Sequence, residues 1–367
     1  MDEWKWCRLG DLITLEYGSA LREQSRTGSG FSVYGSNGVV GYHEKALVPG
    51  PGIIIGRKGS IGQIHWSEDG FWPIDTTYYL NPRVKLDLRW ILGALNQLGL
   101  KLLGSSTGVP GLNRNDAYQR KVPVPPLKEQ KRIAEILDSL DQTIQATEQL
   151  ITKHRKIQTG LIDQFFTPST DSPTELGAIC FGPGEYGCVA TAEPLRPGWP
   201  RYVRITDITD NGTLKSDSEM GVSPTVAQKA ILCPGDIVFA RSGTVGRTYL
   251  YDTADGLCAF AGYLIRFRPD PDKAIPEFVR WWTHSSFYWR WIKRTMRVAA
   301  QPNINAREYA KAVLPLPSVY QQRLIVETLT EVEVEIQAEQ RYLTKLQKLR
   351  SGLASDLLSG RVRTVAA

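Results

Sequence analysis

The sequence of 367 residues contains no motif of the enzymes that hydrolyse ATP or methylate adenine. No G-x-x-x-x-G-K-[ST] stretch occurs, because in the segment GRKGSIG the lysine precedes the glycine. An Asn/Asp-Pro-Pro-Tyr/Phe sequence is also absent, since Asn81-Pro82 is followed by Arg83. The sequence therefore predicts a chain that performs neither reaction.

Histidine and cysteine are sparse, with four and five residues. The histidines (His43, His65, His154 and His284) are scattered and lack the spacing of a metal site or catalytic triad. No two cysteines have the two-residue spacing of a metal site, and no histidine lies near them. We expect no metal, no cofactor and reduced thiols, as is typical of a cytosolic protein.

Long apolar runs are missing as well, since none reaches about 18 residues. The opening MDEWKWCRLG has acids where a signal peptide has a basic and then an apolar stretch. These features predict a soluble, cytoplasmic protein without a membrane partner. The net charge of +6 and the pI near 9.0 favour an anionic partner such as nucleic acid.

The most informative feature that is present is a repeat. Residues 122–167 align without a gap with residues 314–359, 192 positions later, and 14 of the 46 pairs are identical. Both copies begin with alternating prolines, which exclude a helix, and continue with a long proline-free run. Each copy is therefore predicted to be one long helix. The second copy differs at its entry, with Ser318, Tyr320 and Gln321 in place of Pro126, Lys128 and Glu129.

Each predicted helix carries a single apolar stripe with a spacing of three and four residues. The stripe residues are Ile133, Leu137, Leu140, Ile144, Ile151, Ile157, Leu161 and Phe165 in the first copy, and Ile325, Leu329, Val332, Ile336, Leu343, Leu349, Leu353 and Leu357 in the second. A helix of about 40 residues with one stripe needs a partner of equal length. We predict that the two copies pair as an antiparallel coiled coil about a pseudo-two-fold axis near Thr147 and Glu339. His154 lies at the repeat position that Leu346 occupies in the second copy, and it is predicted to lie in the seam.

The segments before the two helices also resemble each other. Each opens with an LG motif, at Leu9 and at Leu176, and each contains short β-branched runs divided by glycine turns. Ile53, Arg57, Gly59 and Gly62 align with Ile237, Arg241, Gly243 and Gly246, and Tyr79-Leu80 aligns with Tyr263-Leu264. A helical segment follows at 86–103 and at 276–296, and then the loops VPGLN (109–113) and QPNIN (301–305). Residues 168–173 are predicted to be a flexible linker.

On these residues the chain resembles the specificity subunits of type I restriction-modification systems, over nearly its whole length. The specific element is a proline run followed by Leu127, Glu129, Gln130 and Ile133 and a coiled-coil helix, occurring twice around two variable domains. The resemblance implies an α+β fold in which two similar α/β target recognition domains are separated by two long helices. We divide the chain into a first recognition domain (1–121), a first helical region (122–167), a second recognition domain (168–313) and a second helical region (314–367).

The resemblance also implies the partners. Each recognition domain would read half of a bipartite site in double-stranded DNA, and the paired helices would set the spacer between the halves. Two modification (methyltransferase) subunits would dock on the helices, and restriction (translocase-nuclease) subunits would join through the complex. The subunit itself would be non-catalytic. The alternative is a coiled-coil adaptor without sequence-specific DNA binding, which would leave the two similar basic domains unexplained.

Three groups of polar residues are candidates for DNA contact, because arginine, asparagine, serine and threonine can meet base edges and lysine and arginine can meet phosphates. The first group lies on the glycine turns, where the alternative is a hairpin with exposed charge: Arg57, Lys58, Ser60, Arg241, Ser242, Thr244 and Arg247. The second lies before the proline runs, where the asparagines could instead cap a turn: Asn113, Arg114, Asn305 and Arg307. The third lies at strand ends: Tyr34, Ser36, Asn37, Arg204 and Thr206.

The segment from Arg280 to Arg297 is rich in aromatic and basic residues, which is typical of a stacking platform for nucleic acid. Its apolar residues nevertheless follow helical spacing: Phe278, Trp281, Trp282, Tyr288, Trp291 and Ile292. A helix that faces the core is therefore favoured. Arg290, Lys293, Arg294 and Arg297 remain candidates for phosphate contact from its outer face.

Overall fold

The computed structural model describes residues 4–103, 111–167, 173–217, 219–298 and 303–364. The first globular region contains the following elements: β1 Lys5–Arg8, α1 Leu9–Leu12, β2 Ile13–Tyr17, β3 Phe31–Gly35, β4 Gly38–His43, β5 Gly52–Gly56, β6 Ile64–Ser67, β7 Phe71–Pro73, β8 Thr77–Pro82, α2 Leu88–Gln97, α3 Arg114–Tyr118 and β9 Lys121–Val124. Helix α4, Leu127–Phe165, follows.

The second globular region contains β10 Pro173–Glu175, β11 Glu185–Tyr186, β12 Glu193–Pro194, β13 Arg201–Val203, β14 Met220–Gly221, α5 Pro224–Ala227, β15 Ile237–Ala240, β16 Thr248–Leu250, β17 Cys258–Phe260, β18 Leu264–Phe267, α6 Pro276–Trp282, α7 Ser286–Val298, α8 Ala306–Ala310 and β19 Val313–Pro315. Helix α9 is Val319–Ser359. Short 3₁₀ helices lie at Glu23–Ser25, Leu100–Leu103, Leu176–Ile179 and Thr253–Asp255.

The sheets repeat between the two regions. One antiparallel sheet has the order β2-β8-β5-β6 in the first region and β11-β18-β15-β16 in the second. Each region also has a second sheet, with the order β4-β3-β7 or β12-β14-β13-β17, and each second sheet contains one parallel pair. Each proline run begins as a strand, because β9 pairs antiparallel with β1 and β19 pairs antiparallel with β10. The predicted internal repeat is thus confirmed in three dimensions.

The chain forms two compact units, Met1–Glu148 with Arg341–Ala367, and Gln149–Gln340. Each unit holds one globular region with half of α4 and half of α9. In the first unit, Asp141 of α4 pairs with Arg350 of α9, and Ile133 and Leu137 share a core with Leu357. In the second unit, His154 lies 3.9 Å from Glu335, and Ile162 shares a core with Leu329. Within each unit the two helix segments therefore run antiparallel, as predicted. The four-segment division remains a prediction, because the compact units divide each helix near its middle.

The helix starts follow from local chemistry. The carbonyl of Pro126 accepts the N–H of Glu129 at 2.9 Å and that of Gln130 at 3.0 Å, so the proline run leads directly into α4. At the equivalent place in α9 the Ser318 hydroxyl donates to the Gln321 side chain at 3.0 Å, and the Gln321 N–H donates back at 3.4 Å. A capping pair thus replaces the proline that the second copy lacks.

Two predicted helices are interrupted in the structure. The segment 86–103 is helical only as α2, after which Gly99 has φ +63 and a 3₁₀ turn follows. The segment 276–296 divides into α6 and α7 at Ser285, whose hydroxyl donates to the Trp282 carbonyl at 2.7 Å and accepts the Tyr288 N–H at 3.2 Å. Serine competes with the helical backbone in this way, and hydropathy spacing does not register it.

The structure corrects one alignment. The N–H of Arg57 donates to the Thr76 carbonyl, and the N–H of Arg241 donates to the Tyr263 carbonyl. Tyr263 therefore occupies the place of Thr76, and the predicted equivalence of Tyr79-Leu80 with Tyr263-Leu264 is wrong by three residues. Identity of two residues in so short a strand was insufficient to define the register.

Candidate nucleic-acid interface

The turn that follows β5 has the same backbone design as the turn that follows β15. The Gly62 N–H donates to the Gly56 carbonyl at 2.8 Å, and the Gly246 N–H donates to the Ala240 carbonyl at 3.1 Å. Gly62 has φ +67 and Gly246 has φ +91, a region that favours glycine. The predicted equivalence of these glycine turns, which present Arg57 and Arg241, is confirmed.

A second candidate loop is bonded to each glycine turn. The Arg57 carbonyl accepts the N–H of Leu112 at 2.8 Å, and the Arg241 carbonyl accepts the N–H of Ile304 at 3.0 Å. The bonds fix the segments 111–114 and 303–307 beside Arg57 and Arg241. The predicted loop correspondence therefore holds for its described part, while residues 109–110 and 301–302 lie outside the described residues.

The third candidate loop lies against the same turns. A Cβ added to Gly59 would lie 3.3 Å from the Ser36 hydroxyl oxygen. A Cβ added to Gly243 would lie 2.9 Å from the Ile205 side chain, and the Thr244 hydroxyl is 3.5 Å from the Ile205 carbonyl oxygen. We call residues 36–37, 57–60 and 113–114 the first loop cluster, and residues 204–206, 241–244 and 303–307 the second loop cluster. In each domain the structure brings together three groups of candidate residues that are separate in the sequence.

The first loop cluster presents polar groups to solvent. Lys58, Asn37 and Asn113 are exposed, and Arg57, Ser36, Ser60 and Arg114 are half-buried. In the second loop cluster Thr206, Asn305 and Arg307 are exposed, and Arg241, Ser242 and Thr244 are half-buried. Both clusters therefore combine cationic, amide and hydroxyl groups, which are the types that contact phosphates and base edges.

Some candidates have packing roles. Tyr34 is 8% exposed and its hydroxyl donates to the Trp66 carbonyl at 3.2 Å, so it belongs to the core. Arg204 binds the buried Asp207 carboxylate through Nε at 2.9 Å and Nη2 at 2.7 Å, which raises the pKa of its guanidinium. Arg247 donates to the Ile208 carbonyl at 3.2 Å and pairs with Asp210. These three side chains stabilise the loops through these contacts, and their contact with DNA stays a prediction.

The asparagines before the proline runs cap helices. The Asn113 side chain accepts the Asn115 N–H at 2.9 Å, and the Asn305 side chain accepts the Glu308 N–H at 3.0 Å. Glu308 completes a capping box at α8 by accepting the Asn305 N–H at 2.8 Å. The capping alternative is therefore correct for the side-chain oxygens of Asn113 and Asn305. The side-chain nitrogens of the two asparagines take no part in capping.

Sequence reasoning missed two tyrosines. Tyr17 is the last residue of β2 and Tyr186 is the last residue of β11. Each ring lies against the arginine of its loop cluster. The guanidinium carbon of Arg57 is 4.8 Å from the centroid of the Tyr17 ring, and the guanidinium carbon of Arg241 is 4.9 Å from the centroid of the Tyr186 ring. Arg114 lies 5.0 Å from the Tyr17 centroid. The tripeptide Glu-Tyr-Gly occurs at both places, at 16–18 and 185–187, and is the signal that could have identified them.

A second tyrosine, Tyr78, lies beside the first loop cluster and is neutral. Burial and the neighbouring Tyr17 together raise the pKa of Tyr78 to about 12, although the charges of Arg57 and Arg114 lower it. The Tyr78 hydroxyl donates to the Leu112 carbonyl at 3.2 Å, which attaches the segment 111–114 to the sheet. The positive charge of Arg57 and Arg114 is therefore not neutralised by an ionised phenol.

The aromatic segment of α6 and α7 is core, as favoured from the sequence. Phe278, Trp282 and Tyr288 are fully buried, and Trp281 and Ile292 nearly so. Arg290 lies 5.0 Å from the Phe287 ring, and Lys293 and Arg294 are exposed. Their contact with phosphates stays a prediction, and the Arg297 side chain lies outside the described part of the chain.

Among the described residues no helix is long and apolar enough to cross a membrane. The five cysteines are unpaired, and burial raises the pKa of Cys180 and of Cys258 to about 12, so both are neutral thiols. They pack in the cores of the second unit.

Comparison with known proteins agrees with the repeat. The family model for the type I restriction modification DNA specificity domain matches residues 1–153 and 200–348. The MjaVIII specificity subunit of Methanocaldococcus jannaschii is 23% identical over 295 residues, which cover 73% of this chain and 68% of that protein. The EcoBI specificity subunit of Escherichia coli is 25% identical over 263 residues, which cover 62% of this chain and 54% of that protein.

Solved structures share the fold. The S subunit of a type I restriction-modification system from M. genitalium superposes with a TM-score of 0.68 at 17% identity, covering 97% of this chain and 96% of that one. A chain from a study of complex assembly and conformational transition of the type I system gives a TM-score of 0.59 at 17% identity and covers 98% of both chains. The resemblance inferred from the sequence and the predicted fold class are confirmed.

Proposed function

Because this chain belongs to the type I restriction modification DNA specificity family, we propose that it selects the DNA sequence on which a restriction-modification complex acts. Each recognition domain reads one half of a bipartite site in double-stranded DNA. The subunit supplies specificity, and its partners supply the chemistry.

The observation that carries this proposal is the duplication of the loop cluster. Arg57 and Arg241 stand on glycine turns of the same design, and each turn is bonded to a second polar loop by the same backbone hydrogen bond. Two copies of one contact surface suit a target with two separate parts, since each domain can meet its own half. An adaptor that binds only proteins would have no use for two arginine turns of this kind.

The clusters combine two modes of DNA contact. Lys58 and Arg307 are exposed cations suited to phosphates, which supply affinity without sequence information. Arg57, Arg241, Ser242 and Thr206 are suited to base edges, which supply specificity. The half-sites are expected to differ, because the residues around the arginines differ between the two clusters.

The long helices are the proposed docking surface for two modification (methyltransferase) subunits, with restriction subunits joining through the complex. The surface of α9 combines the exposed or half-buried apolar side chains of Val326 and Val334 with Glu327, Glu331 and Glu335. Exposed apolar side chains rimmed by charged ones are a feature of protein interaction sites. In this proposal the paired helices also set the unread spacer between the half-sites.

The test is to co-express the chain with the modification subunits of its system, measure the mass of the purified complex and map its methylated sites by sequencing. We expect one specificity chain with two modification chains, and a site with two defined halves separated by a spacer of fixed length. A chain that joins the complex but confers no sequence preference would be an adaptor, and a stable one-to-one complex would contradict the proposed stoichiometry.

A further inference from the structure

The arginine and tyrosine of each loop cluster occupy matching positions. In the first domain, Tyr78 is the cross-strand partner of Tyr17 on one side and of Ile55 on the other. In the second domain, Ile265 is likewise the cross-strand partner of both Tyr186 and Phe239. Ile55 and Phe239 each lie two residues before the arginine of their domain. The same tyrosine thus stands beside the same arginine in both domains, although the surrounding strands have diverged.

The two tyrosines are not core residues. Tyr17 is 48% exposed and Tyr186 is 47% exposed, so neither ring has a burial role that would explain its retention in both domains. The glycine that follows each tyrosine is required by close packing, because a Cβ on Gly18 would lie 2.1 Å from the Ile74 carbonyl oxygen, and one on Gly187 would lie 2.2 Å from that of Phe260. The backbone therefore fixes where each ring can lie.

A hydrogen bond restrains each arginine in addition to the ring. The Asp75 carbonyl accepts from Arg57 Nη1 at 3.0 Å, and the Asn303 side-chain oxygen accepts from Arg241 Nε at 3.3 Å. Within the described part of the chain, the Nε and Nη2 edge of Arg57 and the Nη1 and Nη2 end of Arg241 are left without acceptors. Two parallel N–H donors therefore remain on each guanidinium.

Guanine presents two adjacent acceptors, O6 and N7, in the major groove, and a pair of parallel arginine donors matches them. An exposed arginine normally samples many rotamers, and ordering it on binding costs conformational entropy. An aromatic face beneath the guanidinium reduces that cost by orienting the group before DNA arrives.

We infer that Tyr17 and Tyr186 are positioning residues that hold Arg57 and Arg241 to read one guanine in each half-site. The inference rests on the proposed function and adds to it the base that is read and the residues that orient its reader. The first domain holds two arginines on its ring, Arg57 and Arg114, whereas Ala306 occupies the repeat position of Arg114 in the second domain. Loss of Tyr17 should therefore have the larger effect.

The test uses the complex of the full chain with its modification subunits and measures methylation rates on a set of sites with every base at each position. Tyr17→Leu should lower discrimination in favour of one guanine of the first half-site by about tenfold and leave the second half-site unchanged. Tyr17→Phe, which keeps the ring, should retain the parent's discrimination. Tyr186→Leu should lower discrimination in the second half-site only, and by a smaller factor than Tyr17→Leu lowers it in the first.

Tyr42→Leu is the matched control, because Tyr42 lies on β4 of the same domain and is 46% exposed. It should methylate with the parent's specificity, and unfolding temperatures should show that all variants fold. If Tyr17→Leu matches the parent while Arg57→Ala loses the guanine preference, the positioning role is wrong. If Tyr17→Phe fails like Tyr17→Leu, the ring face is not the cause and the inference is again overturned. If Arg57→Ala keeps the parent's base preferences, the loop cluster does not read DNA, and the result contradicts the proposed function itself and not only the role of Tyr17.

Discussion

Gln130 and Gln322 are the same residue type at the same repeat position and share two contacts, and Gln322 also donates to the Lys273 carbonyl at 3.0 Å. The Gln130 side chain accepts the Asp87 N–H at 2.9 Å and donates to the Pro125 carbonyl at 2.9 Å. Gln322 accepts the Ile275 N–H at 2.9 Å and donates to the carbonyl of the repeat-equivalent proline, Pro317, at 2.9 Å. Each buried amide thereby joins the start of a long helix to the start of α2 or α6. The same residue therefore occurs in both repeats because it connects a recognition domain to its long helix.

The residue before this glutamine differs between the repeats and has a different role. The buried Glu129 carboxylate accepts bonds from Trp4 Nε1 at 3.0 Å, from Arg363 at 2.8 and 2.9 Å and from the Thr364 N–H at 3.2 Å. Burial opposes its ionisation, but the bonds from Arg363, Trp4 and Thr364 prevail and hold the pKa of Glu129 below its ordinary value of 4.5. This carboxylate joins both ends of the described chain to α4.

We predict that Glu129→Gln lowers the free energy of unfolding at pH 7 by about 1–3 kcal/mol, because charge-assisted bonds to a buried carboxylate are lost. Since the folded-state pKa is lowered, the contribution is present above the ordinary value and is lost as the pH falls through the lowered pKa. In denaturant titrations the difference between parent and variant should therefore shrink below about pH 4. Glu135→Gln is the control, because Glu135 is exposed and pairs only with Arg132 among the described contacts. Equal effects of the two variants would contradict this account.

At the level of single residues, the sequence predicted which loops correspond between the two domains, but it did not predict the contacts of every side chain on them. Arg57 and Arg241 could be found because their glycine turns are repeated. The sequence does not predict the bond of Tyr34 to the Trp66 carbonyl or that of Arg204 to the Asp207 carboxylate, because a polar residue at a strand end has the same sequence signature whether its partner is DNA or another part of the chain. Tyr17 and Tyr186 were missed because their role depends on an arginine about 40 to 55 positions away, which only the sheet brings near.

The long helices show a regular heptad seam that the apolar pattern only partly predicts. Ile157 and Leu349 were assigned to the stripe, but they are 43% and 50% exposed. Seam residues that alternate at spacings of four and three residues, starting from Ile133 in α4 and from Ile325 in α9, include their neighbours Gln158 and Arg350 instead. Both of these neighbours are half-buried. The assignment by apolarity alone was therefore wrong at these two positions, and the predicted seam position of His154 is correct, with its side chain 22% exposed.

Thr147, the predicted polar centre of the first stripe, is 6% exposed, and its hydroxyl donates to the Thr143 carbonyl at 2.9 Å. The hydroxyl of Thr147 is therefore hydrogen-bonded within its own helix, so its burial in the seam leaves no donor unsatisfied. A role for Thr147 and Glu339 in fixing the register stays a prediction.

We predict that Ile151→Ala, which truncates a side chain only 5% exposed, lowers the free energy of unfolding by about 2–4 kcal/mol. Ile157→Ala, six residues along the same helix, should change it by less than about 0.5 kcal/mol, because its side chain is already 43% exposed. Urea denaturation followed by circular dichroism would measure both. A larger effect at Ile157 than at Ile151 would restore the stripe read from apolarity and contradict the heptad seam.

At the scale of the whole molecule the repeat explains most of the fold. The boundary between the compact units falls after Glu148 in α4 and after Gln340 in α9, which are the same position of the 192-residue repeat. The fold class could be predicted because a long gapless repeat and its proline entries are visible in one sequence. The strand register and the helix breaks could not, because they depend on single bonds such as that of Arg241 to Tyr263 and that of Ser285 to Trp282.

The central claim is that the two loop clusters read two different halves of one DNA site. The most direct measurement is the methylated sequence selected by complexes that contain Arg57→Ala or Arg241→Ala, compared with that of the parent chain. We predict that each variant relaxes the preference within one half-site, by about 1–3 kcal/mol of discrimination, that the two variants affect opposite halves, and that the spacer is unchanged. Loss of preference in both halves from either single change, or a parental site from both variants, would contradict the claim.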